Sequence, residues 1–226
     1  MTIAYLGSTA FAPDGSPMTS SAFDTTGATL IVITVTYRNN DPGTPTDSNS
    51  NTYTGLTTRG AAYAIQRMYY CENPTVGSGH TFTQFSSAAS NNVSVSVAWF
   101  SGTTTTGALD VQSGGAGSLT GNITPSQDNS LIVFAAADYY LVAEPMTVSS
   151  PFTAAQAYLA AGPQEPACVA YYVQTTAANV TPTWTFGGTP VNQVHSIAVF
   201  KPADGGGPPT PSLHPRRVFP ASILNF

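Results

Sequence analysis

Charge is what this sequence has least of. Asp, Glu, Lys and Arg together make up 8% of its 226 residues, against roughly 25% in an average soluble domain. The scarcity is uneven. Residues 1–200 hold ten acids and three arginines (Arg38, Arg59, Arg67), while 201–226 hold Lys201, Arg216 and Arg217 against Asp204. An acidic body without a basic face excludes nucleic acid as a partner. Cysteine is nearly missing as well: Cys71 and Cys168 are too few for a disulfide framework. No apolar run approaches the ~18 residues that would span a bilayer, so no membrane is expected. The start, Met1-Thr2-Ile3-Ala4-Tyr5-Leu6-Gly7, lacks a basic stretch followed by a long apolar one, so no secretion signal is expected.

Recognisable chemistry is equally sparse. The three histidines, His80, His195 and His214, are scattered without metal-ligand spacing. There is no Gly-x-Ser-x-Gly elbow. Gly77-Ser78-Gly79-His80 sets a serine beside a histidine, but adjacent side chains in extended chain diverge and no carboxylate is in view to orient the ring; it reads as a hairpin turn. Asp47-Ser48-Asn49-Ser50-Asn51 resembles the opening of a calcium loop. An EF-hand needs Gly at its sixth position and an acid at its twelfth, where this chain has Thr52 and Thr58. The expectation is no catalytic residue, no metal, no cofactor, and no enzyme.

What is present is strand. Leu30–Tyr37 is a β-branched run, and Val93–Phe100 alternates, with Val93, Val95, Val97 and Trp99 on one face and Ser94 and Ser96 on the other. Turn signals such as Asp41-Pro42-Gly43 and Gly187-Gly188 punctuate the runs. Helical periodicity is missing, and Ala154–Ala161 is the one weak helix candidate. An edge strand is expected near Ile3–Leu6 and another near Ser20–Phe23. A repeat runs through the chain. Leu30-Ile31-Val32 returns as Leu131-Ile132-Val133, Tyr53-Thr54 as Phe152-Thr153, and Met68-Tyr69-Tyr70-Cys71 as Ala170-Tyr171-Tyr172-Val173. Thr81-Phe82-Thr83 returns as Thr183-Trp184-Thr185, and Ala98-Trp99-Phe100 as Ala198-Val199-Phe200. The expected fold is all-β: a jelly-roll-like β-sandwich over 1–202 built from an internal duplication, with half-repeats about 24–101 and 125–202. An immunoglobulin-like pair is the structural alternative, and Ser101–Thr124 is the expected crossing linker.

Beyond Phe200 a Gly/Pro linker leads into an apolar tail, the two spanning 203–226. Arg216, Arg217, Val218, Phe219, Ile223, Leu224 and Phe226 have no partners within the segment, so a docking role on a neighbouring subunit is expected. Tyr69, Tyr70, Tyr139, Tyr140, Tyr171 and Tyr172 are candidate glycan-stacking or interface aromatics. Neighbours in a strand face opposite ways, so one of each pair is expected in the core.

The stretches Asp47–Tyr53, Tyr69–Thr83 and Ile197–Pro202 resemble a widespread set of uncharacterised proteins from tailed phages and from bacterial genomes carrying phage-like genes. The likeness covers about residues 20–202 and attaches no catalytic residue. It implies a virion or cell-surface β-sandwich. The resulting expectation is a phage structural protein, made in the host cytoplasm and placed in the virion, as capsid decoration or a tail or fibre component. Its partners would be other virion proteins and copies of itself, as a homo-oligomer with a trimer favoured. The alternatives are a carbohydrate- or receptor-binding module, or a bacterial extracellular filament subunit.

Overall fold

The computed structural model describes residues 2–12, 17–38, 41–61, 63–84, 93–139, 146–158, 167–188 and 191–203. All described structure is strand, turn or irregular chain, and every paired strand is antiparallel to its neighbour. The first half gives β1 (Ala4–Phe11), β2 (Met18–Thr19), β3 (Leu30–Tyr37), β4 (Thr46–Asp47), β5 (Thr54–Gly55), β6 (Arg59–Ala61), β7 (Ala64–Glu72), β8 (Phe82–Gln84) and β9 (Val93–Ser101). The second gives β10 (Leu109–Ala116), β11 (Ser130–Ala137), β12 (Met146–Val148), β13 (Thr153–Tyr158), β14 (Ala167–Gln174), β15 (Trp184–Phe186) and β16 (Val194–Phe200).

Each half closes its own large sheet. The first runs β1-β9-β3-β7-β5, with β6 also on β7, and the second runs β10-β16-β11-β14-β13. Ser8, Ala98, Val32, Tyr70 and Thr54 stand side by side across the first sheet. Gln112, Ala198, Val133, Tyr171 and Thr153 do so across the second.

The two sheets pack face to face around Leu30, Val32, Met68 and Phe100 from one side and Leu131, Val133, Val169 and Phe200 from the other. Their outer faces are covered too. The β2-β8-β4 sheet lies over Ile31, Ile33, Val95 and Trp99, and the β12-β15 pair lies over Ile132, Phe134 and Ile197. Four layers result, in a sandwich-like stack. The central strands β3, β9, β11 and β16 are therefore buried on both faces. That is why Leu30–Tyr37 reads as a near-continuous apolar and β-branched run, with Thr34 and Thr36 its only polar members, rather than as a polar–apolar alternation between core and solvent. Polar ties reinforce the join: the Glu72 carboxylate accepts from Gly107 N at 3.0 Å and Ala108 N at 2.6 Å, and Ser8 Oγ donates to Ala155 O at 2.7 Å.

Several expectations change. The alanine-rich stretch is strand over Thr153–Tyr158, because its backbone pairs with β14. The supposed linker contains β10, an eight-residue edge strand. Ser94 and Ser96 lie on the face opposite Val93, Val95, Val97 and Trp99 as expected, and that face is buried too. Near Ser20–Phe23 the pairing is β2 at Met18–Thr19 and a single bridge between Phe23 and His80. Cys71 and Cys168 are free and lie in separate clusters on the outer faces of different sheets. The tail from 204 onward lies outside the described residues.

Candidate functional site

The densest polar cluster among the described residues sits under the β2-β8-β4 cover. Asp47 ends β4, and its carboxylate organises the loop that follows. Oδ1 accepts from Asn49 N and Asn51 N, both at 3.0 Å. Oδ2 accepts from Asn51 Nδ2 at 2.9 Å and from the Tyr53 hydroxyl at 2.5 Å. The chain turns there through Ser50 at φ 58°, in the left-handed region that short polar residues tolerate. Asn51 ties the loop onward, its Nδ2 to Thr75 O and its Oδ1 to Thr75 N.

His80 closes the cluster. Its Nε2 lies 3.0 Å from Asp47 Oδ2, and its Nδ1 lies 2.9 Å from Thr25 Oγ1. The ring packs on Phe82 with centroids 4.6 Å apart. The sequence reading saw no carboxylate for this histidine, and the structure corrects it. Asp47 and His80 are 33 positions apart, but β4 pairs with β8 at Asp47↔Phe82, which carries the carboxylate to the ring.

Burial alone would raise the Asp47 pKa, but the hydrogen bonds from Tyr53, Asn51 and His80 outweigh it and hold the carboxyl below its ordinary value. The Tyr53 hydroxyl shifts the other way: burial first, then the neighbouring Asp47 charge, pushes its pKa up. Thr25, His80 and Asp47 thus form the order hydroxyl–imidazole–carboxylate. However, Thr25 and His80 are 0% exposed, and so is the Asp47 side chain. No substrate atom reaches the hydroxyl, so the arrangement acts as cohesion and not as a nucleophile. The Asp47 oxygens are occupied by N–H and O–H donors, which leaves them poor cation ligands. No grouping of three His, Cys, Asp or Glu residues with metal-binding geometry occurs among the described residues.

The tyrosines flagged in the sequence are dispersed. Tyr69 is buried on the outer face of the first sheet under Arg67, whose guanidinium carbon stands 5.0 Å from the ring centroid. Tyr70 and Tyr171 pack between the sheets, against Phe200 at 5.5 Å and stacked on Tyr5 at 4.7 Å. Tyr172 lies against Phe152 on the other outer face, at 5.5 Å. Both members of these two pairs find packing partners, because both faces of each large sheet are covered. Tyr139 joins a group whose other members, Arg38 and Tyr63, were not legible from local pattern. The Arg38 guanidinium carbon lies 4.6 Å from the Tyr139 ring and 4.9 Å from that of Tyr63, and Tyr63 is 45% exposed. Tyr140 and the tail residues Arg216, Arg217, Val218, Phe219, Ile223, Leu224 and Phe226 lie outside the described residues.

Buried Asp138, beside Tyr139, accepts from Val191 N at 2.8 and 3.0 Å. Burial pushes its pKa up to about 6, against the pull of the Val191 and Tyr139 backbone N–H groups. A shallow groove of about 240 Å³ lies on the second half, lined by Ser150, Pro151, Phe152, Val180, Thr181 and Pro182. It holds no ionisable side chain. No family model matches this chain, and no curated protein or solved structure matches it.

Proposed function

We propose that this chain is a non-catalytic structural protein of a phage-type particle, a two-copy β body that assembles through protein–protein contacts. One observation carries the non-catalytic part: the best-formed hydroxyl–imidazole–carboxylate set is sealed, with all three side chains fully buried. The sequence resemblance to phage-borne proteins supports the particle assignment. The low charge supports contact with other protein surfaces.

The two-copy part rests on the matching rows across the large sheets. With Ala98 set against Ala198, the neighbours in each row fall into step, Val32 with Val133, Tyr70 with Tyr171 and Thr54 with Thr153. On this reading Tyr70 corresponds to Tyr171, one place earlier than the sequence repeat suggests, and each copy begins with an edge strand, β1 or β10. The wiring favours copies that each close their own sheet over a jelly-roll-like interleaving.

Mass spectrometry of gradient-purified particles tests the assignment, with the chain expected at a stoichiometric copy number. Its absence from particles would reject the reading. Deleting 203–226 tests the docking role of the tail: incorporation is expected to fall, and unchanged incorporation rejects that role. A second reading, carbohydrate binding, is favoured by the exposed Tyr63 ring beside Arg38 and Tyr139. A glycan array in which Tyr63→Ala abolishes saturable binding would support it.

A further inference from the structure

Each large sheet ends on one side in an eight-residue strand with a single described partner: β1 pairs with β9, and β10 with β16. An unpaired edge is a row of backbone N–H and C=O groups that templates another strand unless something guards it. These two edges are built alike. In β1, Tyr5 faces Phe100 and Gly7 faces Trp99, with Leu6 left out of register between them. In β10, Leu109 faces Phe200 and Val111 faces Val199, with Asp110 left out of register.

They are guarded differently. The odd residue of β10 is a carboxylate, fixed by Ser126 N at 2.7 Å and Ser126 Oγ at 2.6 Å. Gln112, two residues further along β10, accepts from Thr57 N at 2.9 Å. The odd residue of β1 is Leu6, 41% exposed. No residue from Ala4 to Phe11 is charged, and none is proline. The edges at the far ends of the sheets offer less: β5 has two residues, β6 has three including Arg59, and β13 is itself bulged between Ala154 and Gln156.

We propose that the edge of β1 with no strand partner among the described residues docks a second copy of this chain, the two β1 strands pairing antiparallel across a two-fold axis so that the first sheets run on as one. An antiparallel edge pair is self-complementary, as a two-fold contact requires. A neutral strand brings no like charges opposite one another, although the body around it is acidic. Eight residues give a seam of roughly 26 Å. That buries well below the ~1,600 Å² of a standard interface, so association is weak and concentration-dependent. The contact is two-fold and not the trimer favoured by the sequence reading. This inference rests on the assembly reading above and names its partner.

Sedimentation velocity on the full chain, from low to several hundred micromolar, reads the outcome. The wild type is expected to pass from monomer to dimer. Leu6→Asp, which places at the β1 bulge the residue that β10 carries at its own, is expected to stay monomeric with unchanged circular dichroism. Hydrogen exchange on the wild type supplies an arm that needs no variant: protection over 4–11 rises with concentration, and protection over 109–116 does not. A wild type monomeric throughout, a trimer, or a dimer indifferent to Leu6→Asp without added protection in 4–11 would each overturn the proposal. Should Leu6→Asp fail to fold, the exchange measurement decides alone. A monomeric chain that is nonetheless found in particles would sink the edge contact and leave the particle assignment standing.

Discussion

Asp47 carries the polar chemistry of the first cover layer on one side chain. Four hydrogen bonds and the His80 contact converge on its two oxygens. Asp47→Ala orphans those donors in a buried site, so a loss of about 3 kcal/mol is expected in denaturant unfolding at neutral pH. Because the folded pKa lies below the unfolded one, protonation favours the unfolded chain. The stabilisation is complete above the ordinary carboxylate value of ~3.9 and is lost as pH falls through the lower folded value. Asp47→Asn should flatten that acid limb of the stability curve. Asp138 behaves oppositely. With a folded pKa of about 6, its protonated form suits the fold, so its contribution is complete below ~3.9 and declines as pH rises to the folded value. Unfolding curves of Asp138→Asn against wild type between those limits should lack that decline. Neither Asp47 nor His80 was legible as a site. Asp47 reads as a turn former and His80 as a residue beside a glycine turn, and only the β4–β8 pairing joins them.

At the level of elements, legibility followed side-chain type. Runs dense in Val and Ile, such as β3 and β11, were visible because β-branched residues pack well on a pleated surface. Leu109-Asp110-Val111-Gln112-Ser113-Gly114-Gly115-Ala116 was missed, since its strand character comes from pairing with β16 and not from its own propensity. The alanines of β13 misled for the same reason. One packing detail of β1 is testable. A Cβ on Gly7 would stand 2.5 Å from Trp99 Cζ2, so the indole lies directly on this glycine. Gly7→Ala must push the ring aside and is expected to cost roughly 1–3 kcal/mol, measured by denaturant unfolding. The sequence sets Tyr70 against Tyr172, whereas the rows of the two large sheets set Tyr70 and Tyr171 at matching positions, beside Val32 and Val133. Two adjacent tyrosines offer two pairings, and only the strand register separates them.

For the whole molecule, the central layer of side chains belongs to both halves. Phe100 and Phe200 are fully buried in the same cluster, so neither half keeps its inner face covered without the other. A single calorimetric transition is therefore expected, with calorimetric and van't Hoff enthalpies equal. Phe100→Ala and Phe200→Ala should each cost about 3–5 kcal/mol while leaving the transition single. Two resolved transitions would show that the halves melt apart. The sequence does not show that each half of the chain keeps its strands to its own large sheet, because wiring depends on long-range pairing that local pattern does not encode.

That wiring sets a timetable. Of the described strands β1 is made before the others, yet its partner β9 begins at Val93. At the usual ~5–20 residues per second of synthesis, the opening strand waits roughly 4–16 s for its own sheet. The neutral segment Ala4–Phe11 spends that time with neither edge satisfied, beside other nascent chains in the same state. Holdase binding to ribosome-bound chains should therefore concentrate on this segment and fall once β9 has emerged.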